Sequence, residues 1–376
     1  MSAVPSITSV HPSRAVSGGR VTIDGTGFVV DGLLTLPVGN VDERVSFASS
    51  RRVVVSISAE CEAGQAPIAI PGVMGETSDL SIGGLWATGL HQVDSPAFDP
   101  DGNLFVTYSG SRGHAAPVSI FRVTPSGSRE PFASDIVNAT SMVVGPDGCL
   151  YVSSRFEGAV YRVDGDGTHD QVVSGLGVAC GIAFDRDGWM YVGDRAGTIF
   201  RVRDGQATAF ATIPPSVAAF HLAMSPEQEL FVTAPTLNPY DCIYRIDRQG
   251  LVRSMPSQLG RPQGLAFSPD GTLHVVDALA GASGVYRFRD LEAPPELVVS
   301  GGTLVGIAFG PHGEMAVVSN DTAYRFESGA KVGAKVDAES SAEAGGRPRG
   351  SRKRSSRAKA GASGSDTARG DPGEVK

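Results

Sequence analysis

Between Trp86 and Phe326 the chain copies itself with a period of about forty residues, and that period limits the fold more than any other property of the sequence. Six copies are recognisable by their first hairpin. They read SPAFDPDGNLFVTY from Ser95, SMVVGPDGCLYVSS from Ser141, GIAFDRDGWMYVGD from Gly181, HLAMSPEQELFVTA from His221, GLAFSPDGTLHVVD from Gly264 and GIAFGPHGEMAVVS from Gly306. Their turn positions, Asp101, Asp147, Asp187, Glu227, Asp270 and His312, are spaced by 46, 40, 40, 43 and 42 residues. Each hairpin runs on into an alternating segment such as VYRVD, TIFRVRD, IYRIDR or VYRFRD, and then into a fourth, such as QVVSGL, TAFATI, RSMPSQL or ELVVSG. Four short strands per repeat predict an all-β chain built on a six-bladed propeller. With 48 Gly and 24 Pro in 376 residues, tight turns are plentiful and long helices are disfavoured.

The sixth copy stops after its third strand, while an orphan segment of the fourth-strand type, GLWATGL from Gly84, precedes the first copy. Residues 84–90 are therefore expected to supply the outer strand of blade six, closing the ring and leaving no unpaired edge there. This sets a boundary near Gly83 and assigns 84–328 to the propeller. Upstream, the short alternating runs at 21–23, 44–47, 53–57 and 67–70, separated by Gly-rich or polar turns, predict a small β-sandwich over 1–83. Downstream of Phe326 there is no aromatic residue, and Gly, Ala, Ser and charge dominate. Such a composition buries too little apolar surface to offset the ordering of the chain, so 329–376 is expected to be a disordered tail.

Charge is divided unevenly. The chain carries −8 overall and its last fifty residues +4, which leaves the first 326 at −12. The basic cluster at 347–359 could touch nucleic acid or an anionic surface, or could simply solubilise the tail. An acidic body opposes phosphate-backbone binding, so nucleic acid is not an expected partner. No apolar run approaches the length of a membrane helix, and the start lacks a basic segment followed by an apolar one. Membrane insertion is not expected, and a cytoplasmic location is. Cys61, Cys149, Cys180 and Cys242 show no metal-type spacing and read as ordinary thiols.

Two families are resembled. The opening PSITSVHPSRAVSGGRVTIDGTGF, with a later run EAGQAPIAI, is similar to IPT/TIG immunoglobulin-like domains over about 80 residues. The recurring GIAFDRDG-type hairpin resembles NHL-repeat propellers and the senescence marker protein/gluconolactonase (SMP-30) propellers, a bacterial-type pairing of modules, over about 240 residues. That second resemblance implies a possible divalent cation, often calcium, held at the channel mouth to polarise a lactone carbonyl.

In a blade the first strand runs outward from the channel wall, so B-to-C and D-to-A loops share one face and the DPDG-type turns the other. Loop length varies on the former: 109–117, 234–241 and 277–284 are long, 155–158 short. Variable loops over a constant scaffold are where binding residues gather, so this is the candidate working face. The residues just before the inner strands, Asp94, Thr140, Cys180, Phe220, Gln263 and Val305, are expected to ring its mouth. Asp94 stands where the gluconolactonase resemblance implies a ligand glutamate, but Phe220 and Gln263 replace an expected ligand Asn and Asp. Calcium needs several oxygen ligands at about 2.3–2.6 Å, so this ring is a poor cage and Asp94 its only candidate ligand.

Further candidates are His221, a general base near Asp94 or Asp194 or else a buried hydrogen-bonded residue; Asp194 and Asp277, on the face or capping the following loops; Arg112, Arg155 and Arg195, for an anion or as solvated rim; and Tyr240, an exposed aromatic contact. The recurring Asp of each DG turn is explained by turn geometry alone. The expected function is a binding protein presenting its loop-rich face to a small molecule or a protein partner. The alternative is a calcium-dependent lactone or ester hydrolase with a remodelled site.

Overall fold

In the computed structural model, the structure describes residues 4–327 apart from 76, 92, 93 and 280. The tail expectation and the 347–359 basic cluster lie outside them. Every regular element among the described residues is a β-strand, and no helix among them is long and apolar enough to cross a membrane. Met1–Gly329 forms one compact unit.

The first eighty residues build a sheet of alternating pattern. Arg20–Thr26 and Arg52–Ser56 pair antiparallel, and each turns alternate side chains inward: Val21 and Ile23 from one, Val53 and Val55 from the other, all fully buried. Leu36, Val38, Ile57, Ile68 and Leu80 complete this core. Period-two burial explains the register, since a slip of one residue would turn this apolar set to solvent.

The repeats fold as expected within each copy. Five four-stranded antiparallel sheets stand separately, and the last of them is Leu304–Phe309, Met315–Ser319, Thr322–Phe326 and Gly84–Thr88 in spatial order. Its outer strand comes from upstream of the first copy, with Ala323 opposite Ala87 and Thr322 opposite Thr88.

The expectation of six separate sheets needs correction. The four strands of the fifth copy, Pro262–Phe267, Leu273–Asp277, Gly284–Phe288 and Glu296–Ser300, belong to a twelve-stranded sheet that also contains the N-terminal strands. The join is the two-residue strand Arg14–Ala15, which runs parallel to Thr77–Ile82 on one side and Glu296–Ser300 on the other. Val16, just beyond it, is fully buried against Val276, Val285, Val299 and Leu304. An edge that would otherwise be open is thereby hydrogen-bonded and covered.

Neighbouring sheets share their cores. Ala97, Phe105 and Ile120 of the first copy pack with Ala139, Met142 and Leu150 of the second. On the opposite face the hairpin turns repeat one geometry. Gly102, Gly148, Gly188, Gly271 and Gly313 take φ between 79° and 87°, a region open to glycine, and in the fourth copy Gln228 takes 67° in the same place. Asp99 accepts the backbone N–H groups of Asp101 and Asn103, at 3.0 and 2.8 Å. Of the DG aspartates, Asp147 and Asp270 likewise accept turn amides, from Cys149 and Thr272 at 3.2 Å each.

Candidate functional site

The loops after the second strands of copies one, two and three meet around a cleft of about 300 Å³ lined by Arg112, Asn138, Arg155, Phe156, Val178 and Arg195. Arg112 and Arg195 are exposed; Arg155 is half-buried, and its guanidinium donates to Ser109 Oγ at 3.2 Å. The Phe156 ring is 53% exposed and lies over Gly113 of the neighbouring loop, so the cleft carries an apolar wall beside its cations.

Asn138, which sequence reasoning missed, holds this arrangement. Its Nδ2 donates to the carbonyls of Ser109 and Ser111 at 2.7 and 3.0 Å, and its Oδ1 accepts the Gly113 N–H at 2.8 Å. One buried amide thus fixes the backbone on both sides of Arg112. Its φ of 49° puts it in the left-handed region that Asn tolerates better than most residues. An Asn directly before an inner strand was the available signal.

Of the six ring residues, Asp94 is the one that lines the channel cavity, a space of about 340 Å³ bounded mainly by inner-strand side chains. Burial pushes its carboxyl up to about 6, against the opposing pull of the Arg155 charge. Thr140, Cys180, Phe220 and Gln263 are buried rather than presented at the mouth. Thr140 Oγ1 donates to the Asn138 carbonyl at 2.9 Å, and Phe220 packs against Cys180 with no exposed surface. The Cys180 thiol, pushed up to about 12 by burial, donates to the Val178 carbonyl and is not a nucleophile. Val305 is half-buried beside Ala316 and Val318.

The aspartates that end the second strands are occupied by backbone. Asp194 Oδ1 accepts from Val178 and Ala196 at 2.9 and 3.1 Å. Asp277 accepts from Gly260, Arg261 and Leu279 at 3.0, 2.8 and 3.0 Å. Both are buried, and both tie their own loop to the preceding copy. Tyr240 is 69% exposed on the 235–240 loop and does not line the arginine cleft. His221 does not approach Asp194; its ring nitrogens face Ser95 and Gln263.

The residues present do not fit a calcium site. Among the described residues no three His, Cys, Asp or Glu side chains come together as a metal would require. Asp94 is the only carboxylate lining the channel cavity, and Phe220 offers hydrocarbon where an oxygen ligand is needed.

Comparison with known proteins agrees with the architecture. An IPT/TIG domain model matches residues 5–75, and a strictosidine synthase-like N-terminal model matches 181–202. No curated protein matches the chain significantly. Among solved structures, a gluconolactonase from Xanthomonas campestris is similar with a TM-score of 0.56 at 14% identity, covering 77% of this chain and 96% of that one. A putative gluconolactonase gives 0.53 at 16% identity, covering 65% and 90%. An auxiliary nutrient binding protein from Bacteroides thetaiotaomicron gives 0.51 at 11%, covering 87% and 98%. At these identities the likeness is one of fold: an all-β chain with an N-terminal TIG domain and a propeller.

Proposed function

We propose that this is a binding protein whose loop-rich propeller face takes a small anionic ligand in the cleft of Arg112, Arg155 and Arg195. The observation that carries the reading is the convergence of three guanidinium side chains, from three successive copies, on a body whose charge is −12 through residue 326. Guanidinium groups match the geometry of carboxylate and phosphate oxygens, and a local cationic cleft on an acidic surface is selective for position. Phe156 adds an apolar wall for the body of such a ligand, and Asn138 keeps the loops in place without it. In this reading the fused strands of the fifth copy act as a sixth blade, the TIG domain is a spacer or second contact surface, and the protein needs no metal.

The test is calorimetric titration with citrate and with inorganic phosphate at low ionic strength. At least one should bind to the wild type, with affinity reduced fivefold or more in Arg195→Ala and Arg112→Ala. Absence of binding by both anions, or binding indifferent to both substitutions, overturns the reading.

A further inference from the structure

The six recurring hairpins begin in sequence at Ser95, Ser141, Gly181, His221, Gly264 and Gly306. At this level the copies press together. A Cβ on Gly181 would come within 2.7 Å of the Phe220 carbonyl oxygen, one on Gly264 within 2.7 Å of the Gly306 Cα, and one on Gly306 would strike the Asp94 carbonyl. His221 alone places a large side chain there. It belongs to the fourth copy and reaches the first: its Nδ1 lies 3.2 Å from Ser95 Oγ, while its Nε2 lies 3.3 Å from Gln263 Oε1 of the fifth.

The chemistry of this chain is directional. The Gln263 carbonyl oxygen only accepts, so His221 Nε2 holds the ring proton and Nδ1 is left as an acceptor facing the Ser95 hydroxyl. The imidazole is 1% exposed, and burial pushes it down to about 4, so at ordinary pH the ring is neutral and Nδ1 presents its lone pair to the Ser95 hydroxyl. Gln263 is fixed in turn, since its main-chain carbonyl accepts Thr233 Oγ1 at 2.5 Å. Nucleophile, base and orienting group thus stand in the order required to activate an alcohol.

Ser95 is reachable. It is half-buried and lines the channel cavity beside Asp94, with apolar walls that include Leu222, Leu265 and Ile307. Val144, Phe184, Met224 and Phe267, which also line that cavity, border a surface depression with the hairpin-turn residues Pro146 and Asp185. The site therefore opens on the hairpin face, away from the arginine cleft. Apolar walls with one carboxyl at the inner end favour an uncharged guest over an anion.

We propose that Ser95 is an activated nucleophile in the channel, with His221 as its general base and Gln263 as the positioning residue, and that it acts on a small uncharged ester or lactone. Ser95 Oγ bonds to the acyl carbon as its proton passes to His221 Nδ1. The acyl C–O bond breaks, and the departing alkoxide takes that proton. Water then attacks the acyl-serine, giving its proton to Nδ1, from which it returns to Ser95 Oγ as the carboxylic acid leaves. No metal takes part. This activity goes beyond the binding reading and uses a different cavity.

The experiment is labelling of the full chain with diisopropyl fluorophosphate, read by intact mass and peptide mapping, together with p-nitrophenyl acetate turnover. One adduct on the Ser95 peptide is expected, absent in Ser95→Ala and formed at least tenfold more slowly in His221→Phe and in Gln263→Met, with turnover following labelling. Leu237→Ser, at an exposed position that lines neither cavity, should label as the wild type does. If His221→Phe fails to fold, Gln263→Met carries the comparison. No adduct at Ser95 in the folded wild type, or labelling unchanged in the folded variants, overturns the proposal.

Discussion

The backbone N–H of Val16 donates to the carbonyl of Ser300 at 2.9 Å, so a residue near the start of the chain finishes the edge of a sheet formed near its end. The Gly302 N–H returns a bond to the Ser17 carbonyl at 3.1 Å, and Arg20 N donates to Ser300 Oγ at 2.5 Å. Together with buried Val16, these bonds make the contact between the N-terminal domain and the repeats an extension of one sheet.

Gly19 is where that contact is least tolerant. A Cβ there would press into the Ser300 carbonyl, which is backbone and has no rotamer to yield. Gly19→Ala should cost about 1–3 kcal/mol, the usual range for overpacking. Hydrogen exchange should speed up at the Val16 and Gly302 amides first. Unchanged exchange at those amides with an unchanged melting temperature would refute the point.

Ring closure depends on Trp86, in the strand Gly84–Thr88. Its ring is buried, stands 5.7 Å from Phe98 of the first copy, and lies under the Arg325 guanidinium at 4.9 Å. Its Nε1 donates to the Thr124 carbonyl at 2.9 Å. Trp86→Ala should destabilise by about 3–5 kcal/mol, whereas Trp86→Phe, which keeps most of the packing and loses the hydrogen bond, should cost about 1–2 kcal/mol. Chemical denaturation gives both values, and a loss near zero in Trp86→Phe would show that the indole N–H contributes nothing separable.

Acid should act on stability in two opposing ways. His221 and His274 have folded values of about 4, below the ordinary 6.5, because burial disfavours their charged forms. The unfolded chain therefore binds protons that the native state refuses, and stability present above pH 6.5 is lost as pH falls toward 4. Asp94 runs the other way. Its folded value of about 6 exceeds 3.8, so its contribution is greatest below pH 3.8 and is lost as pH rises through 6. Asp94→Asn removes that loss and should stabilise the protein by about 1–3 kcal/mol above pH 6, with the gain vanishing near pH 4. A pH-independent difference between the two melting curves would contradict the assignment.

Much of the architecture was legible because it is periodic. Recurrent hairpins such as GIAFDRDG and GLAFSPDG marked inner strands, and the fourth-strand character of GLWATGL identified the segment that pairs with Thr322–Phe326. The fusion through Arg14–Ala15 was not legible, since two residues have no period and their partners lie far away in sequence. The site was read less well for a similar reason. The register of the inner strands placed Asp94 at the channel, but whether Thr140, Cys180 and Phe220 face a cavity or pack against a neighbour depends on how closely adjacent copies approach. The Ser95 and His221 contact joins positions 126 residues apart, and only ring geometry creates it. Asn138 was passed over because its role lies in three bonds to another copy's loop.

The twelve-stranded sheet gives the N-terminal domain a fixed bearing. Two parallel ladders and a buried valine stand where many chains have a free hinge, so swivelling would require breaking sheet hydrogen bonds. A partner gripping both the front domain and the ring would meet two footholds at constant spacing, sparing the orientational entropy that a loose tether would forfeit on capture.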